Sequence, residues 1–130
     1  MRRSTTHRRI PLVPLVIPIL TFVLLSASAS AQQVIRISNY KALPGMDEQI
    51  SKLTDEEITG EYAGMKGLKW VKFYLDPSTG ERGSVTLWTD RAALDAYLHS
   101  AARRGILAKL QPLIDGEVTS KIYVVYERKK

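Results

Sequence analysis

Asn39 and Tyr97 are the side chains whose types and positions best suit action on a small ligand. Asn39 shares the parity of Ile35 and Ile37, the side a half-buried strand turns toward its helices. An amide there can hydrogen-bond a substrate oxygen and stabilise an enolate or phenolate as it forms. Its plainer role is to cap the end of the strand. Tyr97 lies on the stripe of Leu94, Leu98 and Ala101, where its phenol would donate a proton or align an aromatic substrate. The plainer role is a core ring with its hydroxyl at the edge. Ile37, Phe73, Leu87 and Leu94 supply the apolar wall of such a pocket. Arg103 and Arg104 would draw an anion to its mouth, or simply form a solvated helix end. His99 is a possible base, but it falls off the apolar stripe and is expected in solvent.

Other chemistry has no residues to carry it. The chain has no cysteine, which removes thiolate, iron–sulfur and zinc–thiolate sites. There is no phosphate-cradling Gly-rich loop, no Gly-x-Ser-x-Gly elbow and no His/carboxylate cluster at metal spacing. Asp55, Glu56, Glu57 and Glu61 read as a solvated helix face. No metal and no cofactor is expected.

The first 31 residues read as a signal peptide. Arg2, Arg3, Arg8 and Arg9 precede an apolar run over residues 10–25, and Ala29-Ser30-Ala31 offers a small-x-small cleavage site. Pro11, Pro14 and Pro18 interrupt that run, which is short for a membrane span. Cleavage after Ala31 would leave a periplasmic or secreted domain, residues 32–130, with no stable membrane anchor; a retained anchor is the rival. Arg8-Arg9 also leaves twin-arginine export open beside the general route. The leader holds four of the 19 Lys+Arg and none of the 13 acids, so the net charge of +6 falls to +2 without it. That small surplus argues against a nucleic-acid partner, which needs a dense basic stripe.

The elements that position these residues follow from periodicity. Residues 34–40, 69–75, 84–89 and 118–126 alternate or are β-branched and aromatic, as strands are. Residues 46–62 carry Ile50, Leu53, Ile58 and Tyr62 at helical spacing. Asp90 is placed to cap a second helix, which Gly105 is expected to break. Asp76-Pro77-Ser78-Thr79-Gly80 joins strands two and three as a hairpin. The order β-α-β-β-α-β predicts an α+β, ferredoxin-like fold: a four-stranded antiparallel sheet with two helices on one face. Alternation assigns Trp70, Tyr74 and Trp88, with Tyr40, to the other face, mixed with Arg36, Lys72, Ser84 and Thr86. A single domain does not leave so many rings in water, so a homodimer through that face is expected.

Several runs resemble the antibiotic biosynthesis monooxygenase family of the dimeric α/β-barrel superfamily. They are Leu43-Pro44-Gly45, Gly67-Leu68-Lys69, Gly83-Ser84-Val85-Thr86-Leu87-Trp88 and Ala92-Ala93-Leu94-Asp95-Ala96-Tyr97, and the likeness spans residues 33–128. The resemblance implies a homodimer with a pocket between sheet and helices in each subunit. It also implies oxidation of electron-rich aromatics, such as quinols and anthrones, by O2 without metal or flavin. One branch of the family degrades haem. That branch has an asparagine at the end of strand one, a tryptophan on the second helix and a histidine ten residues later. Asn39 matches the first; Tyr97 and Leu107 stand at the other two positions. Without the axial histidine, haem degradation is not expected. A non-catalytic protein that binds a small ligand, haem included, is the alternative.

Overall fold

Extended, β-branched segments pair into one antiparallel sheet in the computed structural model, which describes residues 31–130. Its strands are β1 (Val34–Ala42), β2 (Leu68–Leu75), β3 (Glu81–Trp88) and β4 (Ile114–Val124), in spatial order β2-β3-β1-β4. β1 therefore sits between β3 and β4, and the helical segments cover one face. This is the ferredoxin-like α+β arrangement that the order of elements predicts. The signal-peptide reading concerns residues that lie, apart from Ala31, outside the described ones. Among the described residues no helix is long and apolar enough to cross a membrane.

The first helical run covers residues 47–63. It begins as α1 (Asp47–Leu53), widens over Thr54–Ile58 into a π-type turn, and resumes as α2 (Thr59–Ala63). The wide turn shifts the hydrogen-bond ladder by one residue, and two threonines take up slack carbonyls. Thr54 donates to the Ile50 carbonyl at 2.8 Å and Thr59 to the Thr54 carbonyl at 2.7 Å. The extra residue per turn lets Ile58 and Tyr62 both face the sheet, where both are buried.

Asp90 caps α3 (Arg91–Leu98), accepting from the Ala93 amide at 2.8 Å. The next break differs from expectation. It falls at Ser100 rather than Gly105, which lies inside α4 (Ala101–Leu110). Ser100 works in both directions: its hydroxyl donates to the Tyr97 carbonyl at 2.6 Å and accepts from the Arg103 amide at 3.1 Å. A serine that ends one helix and caps the next outweighs a single exposed glycine, which costs a helix only about 1 kcal/mol. The last strand also starts four residues earlier than its β-branched run suggests, straight after the turn Gln111–Leu113. Its pairing with β1 slips between Asn39 and Lys41.

The core lies between sheet and helices. Val34, Ile50, Ile58, Tyr62, Trp88, Leu94, Tyr97, Ile106, Leu110 and Ile114 form one buried cluster. Gly67 allows α3 to approach closely: a Cβ on it would strike the Ala93 methyl, and its φ is +82°.

The assignment of sheet faces is reversed on β1 and β3. Trp88, expected on the open face, is 0% exposed and stacked on Tyr97. Arg36, Ser38, Ser84 and Thr86 turn toward the helices with it, and all four are buried. Ile37 and Leu87, expected in the pocket, lie on the opposite face, and so does Asn39. Direct cross-strand partners share a face. Trp70, Leu87, Ile35 and Tyr123 thus make one row across the open face, and Lys72, Val85, Ile37 and Lys121 the next. Tyr74, Gly83, Asn39 and Thr119 make the third. Trp70 and Tyr74 are therefore on the open face as expected, while Tyr40 lies on the helix side. The reversal has a simple cause: aliphatic residues occupy one parity of β1 and β3, polar residues the other, and the helices cover the polar parity.

Candidate functional site

The helix-covered face encloses a cavity. Its floor is Arg36, Ser38 and Tyr40 on β1 with Gly83 and Ser84 on β3. Its roof is Ile58 and Tyr62 from the first helical run and Tyr97, Arg103, Ile106, Leu107 and Leu110 from α3 and α4. Phe73, 39% exposed, and Val118 stand at the sides. The pocket is partly open to solvent, and its volume is about 410 Å³.

The roof is aromatic. Trp88 stacks on Tyr97 with centroids 5.2 Å apart, Tyr97 lies 5.5 Å from Tyr62, and Tyr62 meets Phe73 edge-on at 6.2 Å. The Tyr97 hydroxyl donates to that of Tyr62 at 2.9 Å. Burial pushes the Tyr97 phenol well above its ordinary range; the nearby Tyr62 adds to this, while Arg36 and Arg103 oppose it. Tyr97 is thus held protonated across the neutral range. Burial likewise raises Tyr40, against the pull of Arg82.

The floor is polar and mostly self-satisfied. Ser38 and Ser84, direct partners across β1 and β3, place their hydroxyls 2.9 Å apart. The Trp88 indole donates to the Thr86 hydroxyl at 2.9 Å, which donates to the Arg36 carbonyl at 3.3 Å. Arg82 donates to the Asp47 carboxylate at 3.3 Å and to Ser51 at 3.0 Å. Arg36 is the exception. Its Nε is buried with no partner among the described residues.

On the other side of the same strands, Tyr74 lies across Gly83 and donates to the Ser38 carbonyl at 2.9 Å. A Cβ on Gly83 would overlap that carbonyl, so only glycine lets β1 and the Tyr74 ring come this close.

Of the residues that the sequence offers as a site, the cavity brings together Tyr97, Phe73 and Arg103. Leu94 is fully buried in the core beneath α3 and does not line it. Asn39, Ile37 and Leu87 are excluded by their parity. His99 is exposed and ends α3, its Nδ1 at 2.7 Å from the Asp95 carbonyl. Arg104 is exposed and donates to the His99 carbonyl. Arg36, Ser38, Ser84 and Tyr62 were missed as site residues. One signal was available: Arg36/Ser38 and Ser84/Thr86 are polar i, i+2 pairs on strands that pair directly, so one face had to carry all four. Among the described residues no group of three His, Cys, Asp or Glu is placed to hold a metal. Leu107 lines the cavity with an alkyl chain, which cannot ligate a metal.

No protein-family model matches the chain, and no curated protein does. Solved structures do. Rv0793 of Mycobacterium tuberculosis is 19% identical, with TM-score 0.64 over 75% of this chain and 99% of its own. A candidate antibiotic biosynthesis monooxygenase of Caulobacter crescentus is 13% identical, with TM-score 0.67 over 75% of this chain and 93% of its own. A variant of SnoaB, a cofactor-independent oxygenase of Streptomyces nogalater, is 16% identical, with TM-score 0.57 over 77% and 97%. At these identities the likeness is one of backbone. The chain has the four-stranded, helix-covered fold that is shared by structures described as antibiotic biosynthesis monooxygenases.

Proposed function

We propose that this chain is an exported, homodimeric oxygenase that oxidises a small electron-rich aromatic with O2 and without a cofactor. The observation that carries the reading is the aromatic-lined cavity, where Tyr62 and Tyr97 above and Phe73 at the side adjoin a polar floor. The likeness to the fold of a cofactor-independent oxygenase supports it. A phenolate or enolate bound there passes one electron to O2. The resulting radical and superoxide combine at carbon, and the peroxide collapses. For an anthrone-type CH2 the balance is one O2 consumed, one carbonyl formed and one water released. Tyr97, kept neutral by burial, donates to the Tyr62 hydroxyl and so turns the Tyr62 proton toward the substrate oxygen.

No carboxylate or histidine lines the cavity among the described residues, so the substrate must ionise without a protein base. The pocket is partly open, with Phe73 at its side, which leaves an aromatic substrate a way in. The N-terminal leader supports export, and the row of Trp70, Leu87, Ile35 and Tyr123 supports a two-fold partner on the open face.

Oxygen uptake by the purified protein, with quinols and anthrones in chelator and without flavin, tests the reading. Uptake proportional to protein, and reduced at least about tenfold in Tyr97→Phe, is the expected result. Binding of these aromatics without uptake would transfer the site to the second reading, a ligand-binding protein, which the absence of a lining base favours.

A further inference from the structure

Two arginines on the same face of this sheet are treated differently. Arg82 is buried and paired: Asp47 and Ser51 take its terminal nitrogens. Arg36, on the neighbouring strand, is 3% exposed, and its Nε finds no acceptor among the described residues. Taking a guanidinium out of water without a partner is costly, and proteins ordinarily pair it or replace it with an apolar residue. The second charged group on the cavity wall is Arg103, also a cation, and no Asp or Glu joins them. The fold itself thus leaves this positive charge unbalanced, on the wall of a partly open pocket.

We propose that the cavity is a receptor for an anionic oxygen group, a carboxylate or an acidic enol already ionised in water, seated on Arg36 with Arg103 at its rim. A guanidinium presents parallel N–H donors in a plane, which match two oxygens of a carboxylate. The Ser38–Ser84 hydroxyl pair lies on the same floor, and Tyr62, whose hydroxyl accepts from Tyr97, has its own proton free to donate from the roof. Tyr62 and Phe73 leave ring faces for a planar body attached to the anion. The inference takes its location from the oxygenase reading and adds a substrate class: aromatic or enolic acids that arrive charged. It also explains how a site without a base can serve, since its ligand needs no deprotonation there.

Calorimetric titration of the purified protein with benzoate, and with benzamide as its neutral counterpart, tests the charge requirement. Benzoate is expected to bind at least about tenfold tighter than benzamide, a preference worth about 1.4 kcal/mol. Arg36→Met should abolish that preference, Arg36→Lys should keep part of it, and Arg103→Gln should weaken benzoate by a smaller factor. Without ligand, Arg36→Met should melt at or above the wild-type temperature, because it removes an unpaired buried charge. Equal binding of the two probes, or no binding of benzoate, overturns the proposal. So does an Arg36→Met protein that fails to fold, since Arg36 would then be structural. The oxygenase reading fails separately. Benzoate selectivity with no oxygen uptake would leave the anion seat and remove the oxygenase. Uptake with neutral quinols that ignores Arg36→Met would do the reverse.

Discussion

The two faces of the sheet invert the usual relation between hydropathy and burial. Under the helices lie Arg36, Ser38, Arg82, Ser84 and Thr86, all buried. On the open face lie Ile35, Ile37, Val85 and Leu87 between two exposed aromatic edges, Trp70 and Tyr123. The inner face tolerates polar groups because direct cross-strand pairing lets hydroxyls and an indole satisfy one another. Where that matching stops, at Arg36, a cavity begins. The open face mixes its aliphatic and aromatic residues with Lys72, Lys121, Asn39 and Thr119, which water can solvate, whereas its apolar side chains gain only if another surface covers them. Burial within one chain thus marks the site, and apolar exposure marks the proposed subunit contact.

The strongest way to break this arrangement is at the strand pair that both faces share. Gly83→Ala is expected to destabilise the fold by more than about 3 kcal/mol, because the new methyl overlaps the Ser38 carbonyl. Urea denaturation measures it, and a loss under about 1 kcal/mol would mean that β1 and β3 can separate freely.

Trp88→Ala and Trp70→Ser set the faces directly against each other. The first removes a fully buried ring and should cost about 3–5 kcal/mol. The second should leave the protomer's unfolding almost unchanged but lower the sedimenting mass from dimer to monomer. A wild type that sediments as a monomer at micromolar concentration would sink the two-fold contact. Equal stability losses in the two variants would erase the distinction between the faces.

The Tyr97–Tyr62 hydrogen bond gives a finer test of the inner face. Tyr97→Phe keeps the ring and should cost about 0.5–1.5 kcal/mol. It should also alter the response to base. Burial raises the Tyr97 phenol above its ordinary value of 10.0, so the folded state keeps a proton that the unfolded state releases above that pH. Stability is complete below about pH 10 and falls above it, by up to about 1.4 kcal/mol per pH unit for this group. Tyr97→Phe should flatten that decline; Tyr40, raised in the same sense, accounts for part of what persists. An unchanged slope would mean that Tyr97 titrates as freely as an exposed tyrosine.

The smallest effect belongs to neither face. Asp90→Ala should cost about 1 kcal/mol and leave benzoate selectivity and sedimentation untouched, since the cap acts only within α3. A change in either would show that α3 transmits strain to the cavity or to the open face.

Sequence alone determined what depends on near neighbours. The order of elements, the 76–80 hairpin turn, the Asp90 cap and the pocket-facing parity of β2, with Phe73 inward and Trp70 outward, all follow from side chains a few residues apart. The faces of β1 and β3 do not. Alternation reports that two sets of side chains point opposite ways, never which set the helices cover, and here the polar set is covered. Asn39 and Tyr97 illustrate the limit. They were paired in one pocket by a parity argument, yet the sheet lies between them. Tertiary structure decided the site, because the solvation of Arg36 depends on Tyr62, Tyr97 and Ile106, which pack above it from helices 26 to 70 residues away in sequence. No local pattern encodes whether an arginine in a strand will find water, a carboxylate or the wall of a pocket.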